Sequence, residues 1–94
     1  MRPRWTPLAA GQLESAYEYV VRDSPTAADE TLERILLAVK VLERHPQIGR
    51  KGRVPRTREM IVTGTPFVVA YRIKADQVEI LAVLHGARRW PERL

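Results

Sequence analysis

FVVAYRIK (residues 67–74), AD (75–76) and QVEILAVL (77–84) read together as two strands joined by a two-residue reversal. In the first segment Phe67, Val69, Tyr71 and Ile73 face one way, and Arg72 and Lys74 the other. In the second, Val78, Ile80, Ala82 and Leu84 form one face. So short a connection joins antiparallel neighbours. A further strand, Arg58 to Thr63, precedes them across Gly64-Thr65-Pro66, a turn signal. The C-terminal half is therefore expected to be an antiparallel meander.

Upstream the period changes from two to about 3.6. From Ala9 to Asp23 the apolar positions Leu13, Ala16, Tyr17, Val20 and Val21 recur at helical spacing, with Glu14, Glu18 and Arg22 on the other side. Ser24-Pro25 reads as an N-cap with proline at the first helical position, where a missing N–H is harmless. The stripe Ala28, Leu32, Ile35, Leu36, Val39, Leu42 carries a second helix to His45, and Pro46 stops it. Leu37 and Val41 lie opposite that stripe. They place the helix between two layers or offer a surface to a partner, and the sandwiched arrangement is the expectation. Residues 46–57 (PQIGRKGRVPRT) read as a loop. Arg2 to Thr6 reads as a short strand that Pro3 confines to an edge. The order β-α-α-β-β-β predicts an α+β fold, a helical hairpin packed on an antiparallel four-stranded sheet.

The 94 residues fit a single domain, 1–94. An apolar fraction of 45% with a net charge of only +5 excludes a disordered chain. With no cysteine there is no disulfide framework and no thiolate metal site. No apolar run approaches the ~20 residues needed to span a bilayer, and the start MRPRW is not a signal peptide, so a cytoplasmic location away from membranes is expected. The charge is uneven. Residues 1–49 hold six basic and seven acidic side chains, a net −1, whereas residues 50–94 hold ten and four, a net +6. Arg50, Lys51, Arg53, Arg56 and Arg58 fall together with no acid among them, a patch suited to phosphate or to an acidic protein surface, or simply a solvated loop.

Catalytic chemistry has few carriers. His45 and His85 stand alone, no carboxylate cluster has ligand spacing, and no metal or other cofactor is expected. Ser24 is a cap and Ser15 sits beside an apolar stripe. Metal-free RNA cleavage needs a base, an acid and cations around the phosphorane-like transition state. His85, with Tyr71 or Glu59 and with Arg58, Arg72, Arg88 and Arg53, offers those groups in kind. Trp90, after Arg88-Arg89, is expected to cover the open end of the sheet core, with stacking on a base as the alternative.

The succession Ser24-Pro25-x-Ala27-Ala28, a long second helix, Pro46-x-Ile48-Gly49-Arg50, Thr57-Arg58-Glu59, Ala70-Tyr71-Arg72 and Val83-Leu84-His85-Gly86-Ala87-Arg88 resembles the RelE/ParE superfamily of type II toxins over nearly the whole chain. The resemblance implies a growth-inhibiting toxin of the kind linked to plasmid stabilisation, neutralised by a small cognate antitoxin in a hetero-oligomer. Antitoxin-contact candidates are Leu37, Val41 and Arg72. RelE-like members cut mRNA on the ribosome, and ParE-like members poison DNA gyrase. In the RNase branch the strand matching FVVAY carries an arginine where this chain has Val68, and the preceding strand favours lysines where this chain has Glu59, Met60 and Ile61. The long hairpin also resembles ParE. The implied reading is therefore a gyrase inhibitor that works by binding, its target-binding patch drawn from Arg50, Lys51, Arg53, Arg56, Arg58, Arg88, Arg89 and Trp90. The alternatives are a RelE-like endoribonuclease using His85 and Arg88 with Tyr71 and Arg58, and a basic nucleic-acid-binding module.

Overall fold

Two Thr/Ser-Pro pairs set where the helices begin. In the computed structural model, which describes residues 1–94, helix α1 spans Pro7–Val21 and helix α2 spans Pro25–Arg44. The Thr6 hydroxyl accepts the Ala9 N–H and the Ser24 hydroxyl the Ala27 N–H, each satisfying an orphan donor of a first turn. Thr6-Pro7 thus carries the same signal as Ser24-Pro25, and α1 starts two residues before the expected Ala9. α2 ends with His45 as its C-cap, just before Pro46.

The strands are β1 (Arg2–Trp5), β2 (Arg50–Lys51), β3 (Arg58–Ile61), β4 (Phe67–Lys74) and β5 (Gln77–His85), in the spatial order β1-β5-β4-β3-β2. The class is the expected α+β, with two corrections to the sheet. It has five strands, because Arg50–Lys51 inside the expected loop pairs with Arg58–Glu59. It is also mixed, because β1 runs parallel to β5, Trp5 opposite Ile80. Local pattern identifies a strand but not the edge it joins or its direction there. The helical hairpin and the meander together form the long crossover that a parallel pair requires.

The face assignment of β5 also changes. Ala70 opposes Ala82 but Tyr71 opposes Ile80, so Leu81 is the extra residue of a β-bulge. Beyond it the alternation inverts. Val78, Ile80 and Val83 join Phe67, Val69 and Tyr71 in the core under the helices, while Ala82 and Leu84, expected on that face, turn to the other side. The bulge is tied to α1, since the Thr6 hydroxyl reaches the carbonyls of both Ile80 and Leu81.

Ala9 and Ala16 of α1 and Ile35, Ala38, Val39 and Leu42 of α2 close the core. Complete burial of a side chain such as Ile35 or Leu42 contributes about 1.5–3 kcal/mol. The sandwiched position expected for Leu37 and Val41 is not found. Leu37 is 55% exposed and Val41 38%, with Leu36 at 42% beside them, because a single sheet face under the hairpin leaves the far side of α2 in solvent. Neither helix is long and apolar enough to cross a membrane.

Candidate functional site

The charged residues divide into three arrangements, and the first consumes much of the basic loop. Glu59 on β3 is almost completely buried. Its carboxylate accepts from the Arg50 guanidinium at 3.0 Å and from the Arg53 main-chain N–H at 2.6 Å, with the Arg53 side chain at 3.8 Å. Arg58 donates to the carbonyls of Gln47 and Gly49 at 3.1 and 2.9 Å. Three of the five cations between residues 50 and 58 therefore hold the loop to the sheet. Lys51 and Arg56 remain turned to solvent.

Tyr71 closes the same region from below. Its hydroxyl donates to the Pro46 carbonyl at 2.7 Å and accepts from the Gly49 N–H at 2.9 Å. The ring is fully buried. Burial pushes the hydroxyl above its ordinary pKa of 10.0, against the opposing pull of the Gly49 amide and the Arg58 charge. On β5, the buried Glu79 plays the part that Glu59 plays on β3, binding Arg72 at 2.6 Å and Arg4 at 3.1 Å.

The third arrangement lies at the far end of the sheet. His85 packs edge-on to Phe67, with ring centroids 5.8 Å apart. Its Nδ1 accepts the Ala87 N–H at 3.2 Å, which assigns the proton of the neutral ring to Nε2. Arg88 lies over the Tyr19 ring at 5.2 Å. A cleft of about 420 Å³ opens there between α1 and the end of β5, lined in part by Tyr19, Arg22, Phe67, His85, Arg88 and Arg89. Trp90 does not join the core cluster. It is half-buried on the segment after β5, where its indole N–H donates to the His85 carbonyl at 3.2 Å and Arg53 stacks over its ring at 4.0 Å.

The four residues considered for RNA cleavage are split. His85 and Arg88 share the cleft. Tyr71 and Arg58 oppose each other across β3–β4. His85 opposes Phe67, and the four residue steps from Phe67 to Tyr71 span roughly 13 Å of strand. Val68 is buried between Leu84 and Ile61 on the sheet face away from the helices. Tyr19 and Arg22 were not singled out by sequence. Their signal was positional, since Tyr19 on α1 and Arg22 at its C-cap follow Ser15 at intervals of four and seven residues, along one helix face.

Comparison with known proteins agrees along the chain. The family model for the ParE toxin of the type II toxin-antitoxin system, parDE, matches residues 4–90. The toxin-like protein Y4kP of Sinorhizobium fredii is 41% identical over 93 residues, covering 99% of this chain and 96% of that one. Toxin RelE2 of Caulobacter vibrioides is 31% identical over 84 residues, covering 89% and 93%. Among solved structures, a chain of the chromosomal ParDE toxin-antitoxin system from P. aeruginosa superposes with a TM-score of 0.78 at 31% identity, over 88% of this chain and 92% of that one.

Proposed function

The chain belongs to the ParE toxin family of type II toxin-antitoxin systems, and from that premise we propose that it acts in the cytoplasm as an inhibitor of DNA gyrase, by binding, until a cognate antitoxin neutralises it. One observation carries the choice of binding over catalysis. The Tyr71 hydroxyl and the Arg58 guanidinium are both engaged by main-chain groups of the Pro46–Gly49 segment. The Tyr71 hydroxyl and Arg58 Nη1 are thereby committed to the loop, and both residues stand far along the sheet from His85. Losing one positioned transition-state donor costs ~10²–10³ in rate, and Val68 supplies no charge.

Of the expected target-binding patch, Lys51, Arg56, Arg88 and Arg89 are the exposed cations that no carboxylate holds. The apolar side of α2 around Leu37 and Val41 suits the antitoxin. Expression of the chain alone is expected to arrest growth, with relaxed plasmid accumulating in the arrested cells. Co-expression of the protein encoded beside it restores growth. Arrest with normally supercoiled plasmid would count against gyrase. The second reading, ribosome-dependent mRNA cleavage, is favoured by the shared placement of His85 and Arg88 in one cleft and by the RelE-named relative.

A further inference from the structure

Glu30, Leu37 and Arg44 follow one another at intervals of seven along α2. Seven residues are close to two helical turns, so the three lie nearly in line. Glu33, Lys40 and Val41 flank that line. All six side chains are exposed, on the side of the helix opposite the buried Ala28, Ile35, Val39 and Leu42. The four charged ones enter none of the four ion pairs of the molecule.

Charge along this line is polarised. Glu30 and Glu33 precede Leu37, and Lys40 and Arg44 follow it. The helix dipole favours these signs, but only in the first and last turns. The first turn of α2 holds no acid and the last holds only Arg44, so the dipole leaves Glu30, Glu33 and Lys40 unexplained. Within one helix the arrangement is unfavourable, because Lys40 and Arg44 are like charges four residues apart.

A second copy of α2, laid antiparallel over the first, satisfies all four charges. With the two-fold axis beside Leu37, residues equally far before and after it meet across the contact. Leu37 then packs on Leu37 of the second copy, Glu30 faces Arg44 of the second copy, and Glu33 lies beside its Lys40. An isologous contact repeats every such pair. A parallel copy would instead set acid on acid and base on base. From Glu30 to Arg44 the contact runs roughly 21 Å along the helix. Its apolar centre, Leu37 and Val41, is small, so the association is weak, reversible and sensitive to salt.

We propose that the free chain self-associates through α2 as a two-fold symmetric, antiparallel helix pair, with Leu37 and Val41 at its centre and Glu30–Arg44 and Glu33–Lys40 ion pairs between the copies. The pairing belongs to the chain without its antitoxin, and it does not depend on the gyrase reading.

Sedimentation of the full chain over a range of concentrations tests this. The wild type is expected to shift from monomer towards dimer as concentration rises, and less so in about 0.5 M salt. Glu33→Lys and Lys40→Glu each turn two attractive contacts into two repulsive ones, and each is expected to weaken the dimer at least about tenfold. Mixing the two variants in equal amounts restores opposite charges at both contacts, so dimer is expected to return. That recovery cannot be attributed to folding, because neither chain has changed. A wild type that stays monomeric up to ~1 mM would overturn the proposal. So would a dimer that survives either reversal, or two variants that remain monomeric when mixed.

Discussion

The Tyr71 hydroxyl stands 2.9 Å from the Gly49 nitrogen, so close that no Cβ fits on residue 49 without meeting the tyrosine ring. Glycine is needed here for proximity; its φ is unremarkable. Gly49→Ala is expected to cost about 1–3 kcal/mol through overpacking. Tyr71→Phe is expected to cost a similar amount, about 1–3 kcal/mol, by leaving the buried Gly49 N–H without a partner. Urea unfolding of both variants checks this, and wild-type stability in either would refute the latch.

The same hydroxyl sets an alkaline limit on stability. Its pKa is raised on folding, chiefly by burial, so the folded state holds the proton more tightly than the unfolded state. Its contribution is complete below the ordinary value of 10.0 and is lost as pH rises through the raised value. Tyr17, raised chiefly by its hydrogen bond to Asp29, acts in the same direction. Melting temperature is expected to fall above pH 10, and the gap between wild type and Tyr71→Phe to narrow there. A gap that stays constant through that range would contradict the assignment.

Much of this arrangement was legible in the chain and some was not, for identifiable reasons. Ser24-Pro25, the stripe from Ala28 to Leu42 and the Ala75-Asp76 reversal are local signals, and α2 and the β4–β5 hairpin follow them closely. The Leu81 bulge is set by contacts with Thr6 and by the ladder with β4, which nothing within VEILAVL encodes. The basic run ending at Arg58 looked free of acids because its counter-charge, Glu59, is the next residue and folds back beneath it. Likewise Tyr71 and His85 carry the right chemical groups for catalysis, but only the pairing register reveals how far apart they lie.

Glu59 therefore matters to the loop more than its single charge suggests. Arg50 and Arg53 are each about half exposed, with side chains at 52% and 47%, so water screens much of their attraction to it. The larger loss in Glu59→Ala is the acceptor for the Arg53 N–H. The expected destabilisation is about 1–3 kcal/mol, with faster tryptic cleavage after Arg50, Lys51 and Arg53. An unchanged cleavage rate would show that the carboxylate does not hold the loop.

The exposed apolar side of α2 makes the opposite prediction. Leu37→Ser with Val41→Ser should leave the stability of the free chain within about 0.5 kcal/mol, because neither side chain is part of the core. If that surface receives the antitoxin, the double variant escapes neutralisation, seen as growth arrest that persists on co-expression. Full neutralisation would place the antitoxin elsewhere.

Ala75, at the tip of the β4–β5 hairpin, has φ of +53°, a conformation that glycine adopts without a Cβ penalty. Ala75→Gly is expected to change stability little or raise it by up to about 1 kcal/mol, read as a shift in urea midpoint. A clear loss of stability would mean that the turn conformation is misassigned.

Purified protein tests the binding inhibition of gyrase directly. The wild type and the double variant Arg88→Ala with His85→Ala would be added in parallel to a gyrase supercoiling reaction and to ribosomes carrying a defined mRNA. The wild type is expected to block supercoiling and leave the mRNA whole. Cleaved mRNA with normal supercoiling, abolished in the double variant, would contradict it.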